Sequence, residues 1–255
     1  MKVSSTEIQN NFGKYLILAR KEDIIITRNG TEVARLIAGD NILHHKGLMD
    51  TVVREENADY YAADKEICGR KATYEEFQKL VKDNEDTRYE YIDGEIFVME
   101  SPKTPHQSAL TELFGGFYIW FQGKKCRPFV APYDIILKKN EKNINVVQPD
   151  LMVICDLDEK LGEDGYYKGV PALTLEIISG GTARKDLLRK MNLYRDTGVR
   201  EYWVVDPSFK AITIYRFNDR SHIDVRSYEA DTDADATAES FIFEGLSVDL
   251  KKVFR

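Results

Sequence analysis

Two acidic residues stand inside apolar runs, and they limit what this chain can fold into more than any other feature. VVQPDLMVICD carries Asp150, and PALTLEIISGG carries Glu176. TARKDLLRKMNLY follows with helical spacing and brings Asp186 and Lys190 within a turn of each other. A carboxylate among apolar neighbours is costly unless it holds a cation or a partner. Two of them on neighbouring strands, with a lysine close by, point to a metal site of the kind that cleaves phosphodiesters. That chemistry needs a cation to polarise the phosphate, carboxylates that hold it while leaving waters on it, and a positive side chain to screen developing charge. Asp150 and Glu176 are read as the metal-holding acids. The Ile177 carbonyl can be a further ligand and Lys190 the catalytic ammonium. Magnesium, or manganese in its place, suits such an oxygen-donor set.

Bulk properties exclude several alternatives. At 255 residues and 43% hydrophobic, the chain can bury one large core or two smaller ones. Its net charge of -7 argues against a polycation that coats nucleic acid passively. An acidic balance is compatible with carboxylates awaiting a divalent ion. Cys68, Cys126 and Cys155 are odd in number and widely spaced, which reads as free thiols in a reducing cytosol. The start MKVSSTEIQNNFGKY lacks an apolar signal core, and no apolar run is long enough to span a bilayer. The expectation is a soluble cytoplasmic protein without membrane contact.

Residues 1–40 read as a separate unit. Val3-Ser4-Ser5 starts extended, and Ser5 or Thr6 can cap a helix whose apolar face is Ile8, Phe12, Tyr15 and Leu16. A β-branched run, Ile24-Ile25-Ile26, leads to Asn29-Gly30, a strong hairpin signal, and Val33 to Ile37 returns. VSSTEIQNNFGKYL followed by IIITRNGTEVARLI resembles the prevent-host-death family of antitoxins. The resemblance implies an α+β module that dimerises and binds DNA. It would place Ser4, Thr6, Asn10, Asn11, Lys14 and Arg28 at or near the DNA, and it allows a toxin-like partner or restraint of the rest of the chain in cis. The unit holds six Lys or Arg against five Asp or Glu, so any DNA contact must come from charge placement. Residues 41–71 read as a charged linker of one or two helices, with His44-His45 an exposed feature rather than a ligand pair.

The second domain is expected over 72–255. Thr73 and Glu76 form a capping box ahead of TYEEFQKLVKD, and Asp93-Gly94 turns a hairpin that carries Glu90. A loop bracketed by Pro102 and Pro105 ends at His106, and Gln107 to Phe121 is a core helix. Single strands are expected over 129–137 and over 146–155, with a charged turn between them. Further strands follow at 172–179, 201–206 and 211–216, with a helix from Thr182 to Gly198. The acidic stretch EADTDADATAES leads to a last strand and a short helix. The layout is α/β, with a mixed central sheet flanked by helices. Tyr194, Tyr202 and Trp203 read as core aromatics rather than base-stacking platforms.

EYIDGEI, His106, QPDLMVICD, GYYKGVPALTLEIISGGT, Asp186 with Lys190, Tyr194 and GVREYWVVDP together resemble the Uma family of restriction endonucleases, within the PD-(D/E)XK nuclease superfamily. The resemblance implies a restriction-endonuclease-like core and a Mg-dependent endonuclease acting on DNA. In it Asp150 is the acid of the PD motif, Glu176 the acid of the (D/E)XK motif, and Glu90 a third acid at the site. The superfamily's lysine two residues after the second acid is replaced by Ile178. The resemblance implies that a lysine of the next helix substitutes, Lys190 first and Lys185 in reserve, with His106 and Asp186 as secondary candidates. Two other readings stand beside this one: a non-catalytic toxin-antitoxin-type regulator with a nuclease-like scaffold, and a metal-dependent hydrolase acting on something other than DNA.

Overall fold

The computed structural model describes residues 1–4, 7, 24–28, 31–36, 69–178, 183–219, 222–231 and 236–255. The chain divides into two compact units, Met1–Asp59 and Tyr60–Arg255. In the first, β1 (Lys2–Ser4) lies parallel to β2 (Ile24–Arg28), which pairs antiparallel with β3 (Thr31–Leu36). Val3 and Ile24 are buried, and the Ser4 hydroxyl accepts the Glu7 N–H at 3.1 Å. The N-terminal helix stretch and the His44-His45 linker lie outside the described residues.

The second unit opens on β4 (Arg70–Lys71) and α1 (Tyr74–Asp83), which the sequence starts by local chemistry. Thr73 Oγ1 accepts the Glu76 N–H at 3.2 Å while the Glu76 carboxylate accepts the Thr73 N–H at 2.7 Å. The hairpin of β5 (Tyr89–Ile92) and β6 (Glu95–Val98) turns at Asp93 (φ 50°) and Gly94 (φ 83°). Two successive left-handed residues are what a tight hairpin needs. Helix α2 (Thr104–Phe121) begins earlier than the sequence suggested, with Pro105 in its first turn, so His106 sits on the helix and not in a loop.

Two predicted strands are each broken in two. The stretch 129–137 becomes β7 (Arg127–Val130) and β8 (Ile135–Asn140), and 146–155 becomes β9 (Asn143–Val147) and β10 (Leu151–Ile154). The halves lie in different sheets. One sheet runs β4-β6-β5-β9-β8. After α3 (Leu157–Lys160), β11 (Leu173–Ile177), α4 (Ala183–Thr197), β12 (Glu201–Asp206), β13 (Ala211–Phe217) and β14 (Ile223–Glu229) complete a second sheet, ordered β14-β13-β12-β11-β10-β7. The switch between sheets occurs at Gln148-Pro149-Asp150, where proline cannot donate to a ladder. Only β11 and β12 run parallel in the second sheet, and α4 makes the crossover that parallel neighbours require. A hairpin of β15 (Thr237–Glu239) and β16 (Ser247–Asp249) with α5 (Leu250–Val253) closes the chain.

Alternation along the strands assigns the two faces of the six-stranded sheet. Leu151, Val153, Leu173, Leu175, Ile177, Trp203 and Val205 pack with Ala109, Leu113 and Phe117 of α2. Met152, Ile154 and Tyr202 face the other way, toward Leu193 and Tyr194 of α4 and Ile135, Leu137 and Val147 of the five-stranded sheet. Glu176 stands between Leu175 and Ile177, so it belongs to the α4 face. Tyr194, Tyr202 and Trp203 are fully buried in these layers.

The cysteines correct the free-thiol reading. Cys126 and Cys155 form a disulfide across the start of β7 and the end of β10, one step beyond the Arg127–Ile154 pair. The thiol count therefore gives no argument for a reducing compartment. Tyr167 is 1% exposed, and its hydroxyl donates to Asp156 at 2.5 Å.

Candidate active site

Asp150 follows the sheet switch, one residue before β10, and Glu176 is the next position of β11 after the Leu151–Leu175 pair. Continuing that antiparallel register sets the two acids opposite each other. The link between them is observed directly: Asp150 Oδ2 accepts the Ile177 N–H at 2.8 Å. The expected role of Ile177 was its carbonyl, and the structure shows its amide on the neighbouring acid. His106 Nε2 lies 3.2 Å from the same Oδ2.

Lys190 reaches in from α4, held over the site by its flanks. Arg189 bonds Glu95 of the hairpin at 2.6 Å. At the helix end, Gly198 (φ 99°) and Val199 donate back to the Arg195 and Tyr194 carbonyls, a closing motif that only a left-handed residue completes easily. The Lys190 ammonium is buried and sits 2.8 Å from Glu90 Oε1 and 3.0 Å from Glu176 Oε1. Tyr194 donates to the same Glu176 oxygen at 2.6 Å. Glu90 Oε1 also accepts the Gln148 N–H at 2.9 Å, and Gln148 Nε2 bonds Asp134 at 2.7 Å. One lysine thus ties an acid of the five-stranded sheet to an acid of the six-stranded one.

The electrostatics leave this cluster short of positive charge. Burial pushes the Glu176 carboxyl up to about 8, and the Asp150 and Glu90 charges add to the rise, while Lys190 and Tyr194 pull against it. For Lys190 burial works downward, yet Glu176 and Glu90 more than offset it and hold the ammonium above its ordinary range. Tyr194 is kept protonated by burial and by the same acids. Among the described residues one ammonium bonds Glu90 and Glu176 while Asp150 adds a third negative charge near Glu176, so a proton on Glu176 relieves the excess unless a further cation does.

The donor set fits a hard divalent cation. Among the described residues no group of three or more His, Cys, Asp or Glu side chains is placed to hold a metal by itself. Magnesium asks for less: one or two carboxylates, with waters and substrate oxygens completing its shell. The Ile177 N–H and His106 both meet Asp150 at Oδ2, and Lys190 and Tyr194 both meet Glu176 at Oε1. Among the described residues, no arginine is clamped on either acid.

The structure brings together Glu90, Asp150, Glu176, Ile177, Lys190 and His106. The side chains of Lys185 and Asp186 lie outside the described residues, as do Thr6, Asn10, Asn11 and Lys14. Ser4 and Arg28 lie in the first unit's strands. Sequence reasoning missed Gln148 and the Tyr194 hydroxyl as partners of the acids. Tyr194 stands four residues after Lys190, on the same helical face, which was the signal available.

A family model, Uma2, described as "Putative restriction endonuclease", matches residues 74–251. Among solved structures, a "putative nuclease belonging to DUF820" from Anabaena variabilis ATCC 29413 is similar in fold, with a TM-score of 0.56 at 19% identity. The match covers 72% of this chain and 97% of that one. No curated protein matches the chain. The mixed α/β second unit accordingly has a restriction-endonuclease-like fold. No helix among the described residues is long and apolar enough to cross a membrane.

Proposed function

The chain belongs to the Uma2 restriction-endonuclease family, and on that premise we propose that it is a divalent-metal-dependent endonuclease hydrolysing phosphodiester bonds in DNA. The observation that carries the proposal is Lys190, buried between Glu90 and Glu176, with the Asp150 charge acting on the same Glu176. Asp150 and Glu176 would hold Mg2+ or Mn2+, and the Ile177 carbonyl would be a third protein ligand. When bound, the ion polarises the phosphate and lowers the pKa of a water. Lys190 screens charge that develops on the phosphate, taking the role of the motif lysine that Ile178 replaces. Glu90 keeps that ammonium charged and fixed. The proposed site of action is the cytoplasm, where a DNA substrate is available.

The first unit is proposed to be an antitoxin-like module that dimerises the chain and contacts DNA through Ser4, Thr6, Asn10, Asn11, Lys14 and Arg28. A toxin-like partner or restraint of the nuclease in cis would use the same module. Its strand pairing, β1 parallel to β2 and β2 antiparallel to β3, supports a folded sheet in this unit.

One observation favours a second reading. Lys190 bonds both Glu90 and Glu176 without a metal, as it would in a retired scaffold of a transcriptional regulator. Supercoiled plasmid incubated with Mg2+ or Mn2+ separates the two. Nicking by the wild type, abolished by EDTA and by Glu176→Gln, supports the nuclease. A regulator leaves the plasmid intact and binds a palindromic site without metal, with steep salt dependence unaffected by Glu176→Gln.

A further inference from the structure

We propose that His106 is a positioning residue for Asp150, one that turns a single carboxylate oxygen toward the cation; the inference rests on the metal-site reading above. His106, Ala109, Leu113 and Phe117 form one stripe of α2, and all four are buried. That spacing alone would make His106 an ordinary core residue. Its contact says more. The ring reaches Asp150 Oδ2 at 3.2 Å with the side chains 7% and 15% exposed.

The network fixes the tautomer. An ionised Asp150 only accepts, so Nε2 carries the proton and donates. Nδ1 is then a bare acceptor, and it is buried without a partner. The opposite tautomer would bury an unsatisfied N–H and set the Nε2 lone pair against a carboxylate. Buried polar atoms are rarely left alone, and one left alone calls for a reason. Here the ring is committed to holding Asp150.

The geometry of that hold is selective. Both donors, the Ile177 N–H at 2.8 Å and His106 Nε2, converge on Oδ2. Both bonds fall on one oxygen, so the hold orients the carboxylate by geometry. With Oδ2 occupied, Oδ1 is the oxygen the site can use. The Ile177 amide belongs to the peptide that follows Glu176, which ties one acid mechanically to the other. His106 adds the anchor from α2, across the sheet from α4. Outer partners of this kind set ligand orientation, and their loss weakens metal binding about 10–100-fold.

The test is Mn2+ affinity of the full chain, read by the loss of the free-ion paramagnetic resonance signal, with the metal-free melting temperature measured alongside. His106→Gln keeps an N–H at the distance of Nε2, whereas His106→Asn is a methylene short and His106→Phe keeps only bulk. The expected result is near-wild-type affinity for His106→Gln and an affinity loss of about 10–100-fold for His106→Asn and His106→Phe. A core role alone would change melting and leave affinity per folded chain unchanged. Equal affinity in all three variants, with binding still abolished by Asp150→Asn, overturns the proposal and leaves the metal site standing. If the wild type takes up no Mn2+, the metal-site reading falls and the proposal with it. Should His106→Phe fail to fold, the Gln and Asn pair decides: equal weakening of both overturns the proposal.

Discussion

Replacing Lys190 by methionine removes the one ammonium that neutralises two buried acids. Glu90 keeps the Gln148 N–H and Glu176 keeps the Tyr194 hydroxyl, but neither bond brings a counter-charge. Leaving a buried ion without its partner costs about 3–5 kcal/mol. For a folded unit of this size each kcal/mol moves the melting temperature by about 2–4 °C, so the metal-free variant should melt roughly 6–20 °C lower. The loss depends on pH, and its sign is fixed. Burial raises the folded carboxyl of Glu176 from 4.5 to about 8, so between those values the folded state holds a proton that the unfolded chain has released. Stability contributed by this group therefore falls as pH rises through that window. Without Lys190 the carboxyl rises further, so Lys190→Met should be damaged more at pH 8.5 than at pH 5.5. Urea unfolding at the two pH values measures this. Adding Glu176→Gln to Lys190→Met should recover part of the loss, because it removes one stranded charge. A Lys190→Met protein within about 1 kcal/mol of wild type at both pH values, a loss typical of exposed pairs, would refute the reasoning.

Other consequences follow from the same contacts. Glu176→Gln should remove the fall in metal-free stability between pH 4.5 and about 8 and also the gain in melting temperature on adding Mg2+, both readable by scanning fluorimetry. The Cys126–Cys155 bond spans 29 residues, so loop-closure entropy predicts a loss of about 3–4 kcal/mol in Cys126→Ser, checked by urea unfolding with and without reductant. Thr73→Ala should cost about 1 kcal/mol by opening the capping box, with cleavage and metal binding unchanged.

What could be read from the sequence was what local chemistry decides. Thr73 with Glu76, and Asp93 with Gly94, each set an element within four residues, and the structure has both. Glu176 announced itself because an acid amid LTLEII has few neighbours that could pay for it. Pro149 was harder. A buried run reads alike whether it stays in one sheet or changes sheet, so 146–155 looked like one strand when it is two. Strand β14 was missed because the acidic stretch after it dominated the reading of the tail. Lys190 was placed with Asp186 by helical spacing, whereas its partners come from β5 and β11, contacts no local pattern reveals. The cysteine pair escaped for the same reason: two strands had to be set side by side before Cys126 and Cys155 met.

The central claim is that Asp150 and Glu176 hold a divalent ion beside Lys190. Crystals soaked in Mn2+ and measured at the manganese absorption edge test it directly. The account predicts one anomalous peak on the order of 2 Å from both Asp150 Oδ1 and Glu176 Oε2, with Lys190 still bonded to Glu90. Contradiction would be a strong peak elsewhere in the chain and none there, with Glu176 held only by Lys190 and Tyr194.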